Sequence, residues 1–495
     1  MTRNGNVMLT AARPQPGAEV VADIVCKRVL SAAAIPRHVV FRRVAVARIG
    51  RTSSRSSTST TSNNCSKMTT MFGDRSLIYA DKLEHHTLNT STLCNSSSQP
   101  SMSASSSLSQ PRIAIVGGGP GGLVVLVTLH KRGIPATLYE REPSSDSRAH
   151  MGGMLDLEWE SGQRAFRDNG LEDEFIKHSR AGDAEEGRLC GKDAIPLLHR
   201  KKEKPVDNDL RNSRPEIDRR WDHTLVSVRP LEHGQHELTF SNGLVTVVDI
   251  LIGADGANSR VRPLVSAAVP QYHGVTGAEI SIPPEVVALP ENRDIDEAIG
   301  LGSLFACEAG KMFGTQRNGN GRVRAYLWHR APLEWKLPND PKEAKRILKE
   351  LYFDWAPWML KFIDIADEQA MYTRPLFFLP VGHRWEHKPG VTLIGDAAHL
   401  MSPFSGSGAN LAMLDGLELG LVLADVVSKG LGGEAREAAI AEWEEKMLTR
   451  GEEVAAKTVK SLEACLHPGA PRTMIERFKE MVSQEKEGSR QVQQE

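Results

Sequence analysis

Apolar and polar positions divide the chain near residue 110. Before that point, residues 51–66 (RTSSRSSTSTTSNNCS) and 95–109 (NSSSQPSMSASSSLS) are low in complexity and nearly free of apolar side chains. Such stretches bury too little apolar surface to offset the cost of ordering. Patterned sequence begins at Arg112. RIAIV is a short β-branched run, read as a buried strand. GGGPGG follows, LVVLVTLHKRG predicts a helix ending near Gly133, and ATLYE predicts a second strand. Together they form a βαβ unit of about 30 residues. Further on, residues 155–181 read as helical and 190–210 as a charged loop. Strands are predicted at 223–229, 236–240, 244–254, 323–328 and 391–394, and helices at 341–368, 408–429 and 434–466. The last stretch reads as a polar tail, and no internal repeat is visible.

Length and composition narrow the class. The 495 residues suggest about three domains, or two with tails. Lys and Arg number 61 against 62 Asp and Glu, a net charge of −1. That balance argues against a nucleic-acid binder and against an acidic disordered chain. Six cysteines (Cys26, Cys65, Cys94, Cys190, Cys307, Cys465) stand singly with no C-x-x-C pair, which disfavours a zinc site or a disulfide framework and fits a reducing compartment. No run of ~18 uncharged apolar residues predicts a membrane span. Residues 1–60 are rich in Arg and Ser and hold only two acids, Glu19 and Asp23. The expectation is a disordered extension over 1–110, or upstream sequence wrongly joined, with Met102 a plausible start. A cytoplasmic location follows, or a mitochondrial one if this Arg/Ser-rich segment is a transit peptide.

Three motifs carry chemistry. Gly117-x-Gly119-x-x-Gly122 joins a strand to a helix. In that setting the first glycine makes the tight turn, the second leaves room for a pyrophosphate, and the third lets helix and strand pack. The helix N-terminus presents free N–H groups to the phosphates. Glu140 ends the second strand 23 residues after Gly117, where a carboxylate accepts hydrogen bonds from ribose hydroxyls. An acid there favours an unphosphorylated ribose. Asp255-Gly256 follows the strand of DILIGADGANSRVR, where Ser259, Arg260 and Arg262 are expected to open a helix; an Asx turn is the simpler reading. Gly395-Asp396-Ala397-Ala398-His399 follows another strand and continues through Pro403, Gly406, Gly408 and Asn410. Asp396 suits a ribityl or ribose hydroxyl, and the glycines admit a second anionic group to a helix start. His399 reads as structural.

In this order and at these spacings, GGGPGG, IGADGANSRVR and GDAAHLMSPFSGSGAN resemble the three FAD motifs of the single-component flavin-dependent aromatic hydroxylases, the para-hydroxybenzoate hydroxylase class. GGMLDLEWESGQRAF (152–166) and RPEIDR (214–219) are similar to the branch holding the tetracycline-inactivating monooxygenases and their fungal relatives. The resemblance covers roughly 111–465. It implies an α/β fold: a Rossmann-like FAD-binding domain (111–180, 214–265 and 375–430) with an inserted α+β substrate domain (181–213 and 266–374). A C-terminal helical segment (431–480) and a polar tail (481–495) complete it.

The resemblance also implies roles. Gly117, Gly119 and Gly122 meet the pyrophosphate, Glu140 the adenosine ribose, and Arg141 follows it as in the family. Asp156 lies near the flavin, Arg148 meets flavin or nicotinamide, and Asp396 binds the ribityl chain. Pro403 to Gly408 run under the isoalloxazine. The implied cofactor is non-covalent FAD, with NADPH or NADH as reductant and no second nucleotide fold. The implied activity is hydroxylation, with O2, of an aromatic, enolic or polyketide-like small molecule through a flavin C4a-hydroperoxide. No metal site and no catalytic side chain is assigned; His223, His329 and His399 are candidates by type only. The halogenase W-x-W-x-I-P signature is absent. Where tetracycline-acting relatives present polar contacts, this chain has Gly277 and Ala278. One departure stands out: after Arg219 a helix present in relatives, with an Arg used at the FAD, is missing, and Arg220-Trp221-Asp222-His223 follows at once. Its loss is expected to expose apolar surface, and makes an impaired nucleotide-binding remnant the alternative reading.

Overall fold

The structure is a computed structural model that describes residues 110–144, 147, 154–179, 186–201, 219–318 and 320–492. The expectations for the N-terminal extension and for Arg148 lie outside these residues.

Four apolar runs and a short edge build a parallel sheet in the order Val391–Leu393, Ile250–Gly253, Ile113–Val116, Thr137–Tyr139, Arg219–Arg220. The three runs IAIV, ILIG and VTL are buried along their whole length, as expected of strands covered on both faces. The helix Pro120–His130 follows the first strand and packs against the long helix Gly408–Ser428. Glycines set that approach. A Cβ on Gly416 would lie 2.4 Å from the Gly121 carbonyl oxygen, and one on Gly420 would lie 2.7 Å from Thr128.

The predicted strand 244–254 is two strands. Val245–Val248 joins Leu225–Pro230 and His236–Phe240 in an antiparallel sheet, while Ile250–Gly253 enters the parallel one. The break falls at Asp249. Its carboxylate accepts from the Arg112 amide (2.8 Å), Arg112 Nε (2.9 Å) and Gln235 Nε2 (2.8 Å). The Arg112 guanidinium, foremost among these, holds the Asp249 carboxyl well below the ordinary range.

A second, seven-stranded sheet runs Tyr372–Thr373, Val275–Ile282, Val323–Arg330, Lys311–Arg317, Ser303–Glu308, Glu186–Cys190, Pro196–Lys201. Pro196–Lys201 lies in the span read as loop; its charges suit an edge strand. The helical span 341–368 divides into Pro341–Leu351, capped by Asp340, and Pro357–Asp364. Proline starts both, since a first helical turn needs no N–H there. Tyr352, fully buried, donates its hydroxyl to the Met312 carbonyl at 3.0 Å. Residues 155–181 hold two short helices, Gly162–Arg167 and Glu172–His178. The helix expected after Asp255 is one 3-10 turn, Arg262–Leu264.

The helix Gly433–Cys465 returns to the parallel sheet. Buried Glu444 accepts from Thr392 Oγ1 (2.6 Å) and Trp385 Nε1 (3.3 Å) and pairs with His387 Nδ1 (2.7 Å). Where a polar tail was expected, a last helix spans Arg472–Val492. No helix among the described residues is long and apolar enough to cross a membrane.

The helix crossing yields a test. Gly416→Val places side-chain atoms against the Gly121 carbonyl, and should destabilise the fold by about 2–3 kcal/mol. Urea unfolding checks this; a midpoint unchanged from the native chain would mean that the two helices separate without loss.

Candidate functional site

The C-terminal ends of four adjacent parallel strands bring Gly117, Glu140, Asp255 and Asp396 to one edge. Ligands of open α/β sheets bind along this edge. The three fingerprint glycines divide by what surrounds them. Gly117 has φ +106°, and a Cβ there would sit 2.2 Å from the Ala254 carbonyl oxygen. A Cβ on Gly122 would sit 2.1 Å from the Gly117 carbonyl oxygen. These two let backbone meet backbone. Gly119 faces open space and caps the helix Pro120–His130 without a side chain. The first-turn N–H groups there suit a diphosphate.

Glu140 is 7% exposed and doubly engaged. Its Oε2 accepts from the Gly118 amide at 2.6 Å and its Oε1 from the Glu142 amide at 3.0 Å. Arg141 is exposed and lies 3.5 Å from Glu142.

Asp255 caps its turn, with Oδ2 accepting from the Arg260 amide at 2.7 Å. Its Oδ1 is buried without a partner. Burial pushes its pKa up against hydrogen bonds from Ser259 and the Arg260 amide. Arg262, 3% exposed, ties this turn to the third motif: Nε donates to the Ala397 carbonyl (2.7 Å), and NH2 to those of Ala257 (2.9 Å) and Asp396 (3.0 Å). Asp396 itself is exposed at the start of the short helix Asp396–His399. Pro403 opens a 3-10 turn, Gly406 is left-handed at φ +70°, and a Cβ on Gly406 or Gly408 would meet open space. Gly408 begins the 21-residue helix.

Asn410 is buried, and its amide is spent on a loop. Oδ1 accepts from the amides of Glu158 (2.9 Å) and Gly162 (3.2 Å), while Nδ2 donates to the Asp156 carbonyl (2.8 Å). It holds the segment that carries exposed Asp156. From the second sheet, the Gln316 amide meets Met154 of that loop in both directions, each at 3.2 Å. Beside Gln316 in register lies Arg324, on the face that also carries Tyr326 and Trp328. Tyr326 stacks on Trp328 (5.3 Å between centroids), and Trp328 packs on Phe404 of the glycine loop (5.1 Å). On the same face buried Glu279 bridges Arg324 and Arg374, the latter at 2.5 Å. Gly277 fits its strand for a local reason: a Cβ would strike the Leu327 carbonyl oxygen at 1.8 Å.

The three histidines chosen by type each contact neighbouring protein groups. His223 Nδ1 lies 2.6 Å from the Trp221 carbonyl. His329 packs on Trp335, and burial pushes its pKa down to about 4. His399 Nε2 lies 2.6 Å from fully buried Asp415, which also accepts from the Gly395 amide (3.1 Å) and from Arg450 (3.1 Å). The Arg262 and Asp415 links escape a motif search because each joins segments distant in sequence through main-chain atoms. Among the described residues no cluster of three or more His, Cys, Asp or Glu is suited to a metal.

These features fit FAD. There is open space over Gly119, Gly406 and Gly408, an unpartnered carboxylate oxygen on Asp255, and acids where two sugar-like chains would lie. A family model described as the FAD binding domain matches residues 111–458. Monooxygenase penA of Penicillium thymicola is 28% identical over 63% of this chain and 84% of its own length. The FAD-dependent urate hydroxylase of Klebsiella oxytoca is 26% identical over 62% and 79%. Among solved structures, Klebsiella pneumoniae HpxO complexed with FAD and uric acid covers 74% of this chain and 92% of its own at TM-score 0.58 and 20% identity. Tetracycline destructase Tet(51) covers 74% and 96% at TM-score 0.52 and 18% identity. At such identities the structural likeness carries the fold.

The His399–Asp415 pair makes the site pH-sensitive. Burial weighs against a charged His399, but Asp415 by charge and hydrogen bond, with Asp396, lifts its pKa above the ordinary value. Its stabilisation is complete below the unfolded pKa of about 6.5 and is lost as pH rises through the raised folded value. Nearby His383, whose pKa burial lowers, acts in the opposite sense. Unfolding free energy should therefore fall as pH rises above about 6.5 in the native chain and fall less in His399→Gln. Equal pH slopes for the two proteins would remove His399 from the account.

Proposed function

The chain belongs to the FAD binding domain family, whose relatives here are FAD-dependent monooxygenases, and from that premise we propose that it oxidises NADPH or NADH and inserts one atom of O2 into an electron-rich aromatic or enolic carbon of a small molecule, in the manner of a polyketide-like phenol. One observation carries this reading: the dinucleotide edge of the parallel sheet ends at Phe404, and Phe404 packs on the aromatic face of the second sheet. When bound, the flavin supplies hydride acceptance and activation of O2.

The residues of the chain do the rest. The helix start behind Gly119 would neutralise the diphosphate, Glu140 would accept from the adenosine ribose and Asp396 from the ribityl chain, and the helix start at Gly408 would favour negative charge on the flavin. Asp156 stands on the loop clamped by Asn410 and Gln316. Tyr326, Trp328 and Phe404 offer an apolar wall that stacks a flat substrate and excludes water. Arg324 and Arg374, both held by Glu279, place two guanidinium groups on this face, which suits a phenolate, enolate or carboxylate oxygen. The nicotinamide docks transiently, since the sequence holds no second glycine fingerprint. In this reading 111–180, 214–265 and 375–430 hold FAD and 181–213 with 266–374 hold substrate, which the separate parallel and seven-stranded sheets support.

Purified protein with added FAD should oxidise NADPH or NADH faster in the presence of an electron-rich phenol or enol, and oxygen from labelled O2 should enter the product. A folded protein that binds FAD but oxidises neither nicotinamide with any such compound would favour the impaired-remnant reading. Denaturation should release all the yellow colour, as the flavin motifs contain no cysteine for a covalent link. Asp396→Ala should weaken FAD binding about 10- to 150-fold, the loss of one charge-assisted hydrogen bond. Native FAD affinity in that variant, read by fluorescence titration, would assign the ribityl contact elsewhere.

A further inference from the structure

The cysteines are scattered in sequence, yet the fold joins two of them. Cys307 lies in the strand Ser303–Glu308 of the second sheet, and Cys465 closes the 33-residue helix Gly433–Cys465. Their Sγ atoms are 2.7 Å apart across 158 residues of chain. Both are free thiols and both are buried. The separation exceeds a disulfide bond of about 2.04 Å by less than one ångström. Cys190 is no competitor. It pairs in register with Ala306, the neighbour of Cys307, and sits in the core on the helix-covered side of the sheet. Cys307 and Cys465 share the other side with Met312, Trp328, Leu462 and Leu466.

We propose that Cys307 and Cys465 form an oxidation site, at which hydrogen peroxide converts the two thiols into a disulfide tying the C-terminal helix to the second sheet. The sulfur of one cysteine, as thiolate, attacks a peroxide oxygen and the O–O bond breaks. This leaves a sulfenic acid and a hydroxide that takes up the thiol proton to become water. The second sulfur then displaces hydroxide from the sulfenic sulfur, the S–S bond forms, and a second water leaves with the second thiol proton. The two sulfurs lose two electrons between them, and the peroxide gains both.

The surroundings set the character of this site. The hydrogen bond shared with Cys465, then burial, push the Cys307 thiol well above its ordinary pKa. Little thiolate exists at neutral pH, so the bond forms slowly and, once buried, resists attack by outside thiols. The link also bears on the flavin loop. The same helix holds that loop through Thr458 Oγ1, which donates to Ser405 Oγ at 2.7 Å. Trp328, in the same cluster as both cysteines, packs on Phe404. A covalent tie here fixes the joint behind residues 403–408.

The test uses the full chain, incubated with excess hydrogen peroxide or with reductant, then denatured, alkylated and digested with trypsin. Oxidised protein should yield residues 294–311 linked to residues 461–472, two hydrogens lighter than the separate thiol peptides. The link should vanish with reductant and in Cys465→Ala, and persist in Cys190→Ala. The oxidised native chain should also melt several degrees higher, reversibly on reduction. Peptides that are both alkylated after peroxide would overturn the proposal. So would Cys307 joined to another cysteine, or sulfinic and sulfonic acids without a link.

Discussion

Backbone lies directly on backbone where the first strand, its glycine turn and two helices meet, and the rest of the site depends on that contact. Gly117 and Gly122 leave no room for a Cβ between turn and helix, and Gly121 and Gly416 leave none between helices. Such approach fixes the direction of both helices to within a fraction of an ångström, because no side chain is present to adjust. The N-termini of Pro120–His130 and Gly408–Ser428 thus have set positions at the sheet edge. Open space over Gly119, Gly406 and Gly408 is the complement of that tightness. Some glycines are required by the protein and others by what it holds.

Buried polar groups then hold the loops that the glycines leave free. Glu140 holds the fingerprint turn, Arg262 joins the second and third motifs, Asp415 holds Gly395 and His399, and Asn410 holds the Asp156 loop. Glu140, Arg262 and Asn410 are satisfied mostly by main-chain groups and Asp415 by the Gly395 amide with His399 and Arg450, so substitution strands buried donors or acceptors, at a cost of about 1–3 kcal/mol apiece. Loops held in this way keep their shape before a ligand arrives, which lowers the ordering cost of binding. Asp255 Oδ1 is the exception, buried without a partner.

The elements that sequence made legible share one property: local pattern decides them. The βαβ unit, the strand 236–240 and the helices 408–428 and 433–465 carry long apolar runs or steady helical spacing. What stayed hidden depends on distant partners. The run 244–254 is continuous in apolarity, and only Arg112, 137 residues from Asp249, marks where it changes sheets. Pro196–Lys201 reads as loop because its pairing with Glu186–Cys190 and the sheet beyond supplies what its composition lacks. In the site, the glycines and acids were readable as motif positions. The roles of Arg262, Gln316 and Asp415 were not, because each acts through atoms far along the chain. Asn410 was readable as a position but not as a clamp.

The departure after Arg219 takes its meaning from this dependence on distant partners. Without the helix that the resemblance implies after Arg219, the chain still supplies the edge of the parallel sheet. Leu138 and Tyr139 pair with Arg219 and Arg220, the Glu140 amide donates to the Arg220 carbonyl at 2.9 Å, and the His223 amide donates to the Glu140 carbonyl at 2.8 Å. The Asp222 amide reaches the Glu142 carbonyl at 3.0 Å, with Asp222 itself at φ +57°. Tyr139 stacks on Phe240 at 4.5 Å with His223 beside both, so an aromatic cluster closes this edge. The backbone of Glu140 is therefore pinned on both sides by a five-residue crossing, and its carboxylate by the glycine turn. Glu140 is thus held at both main chain and carboxylate without the helix that the family resemblance leads one to expect after Arg219.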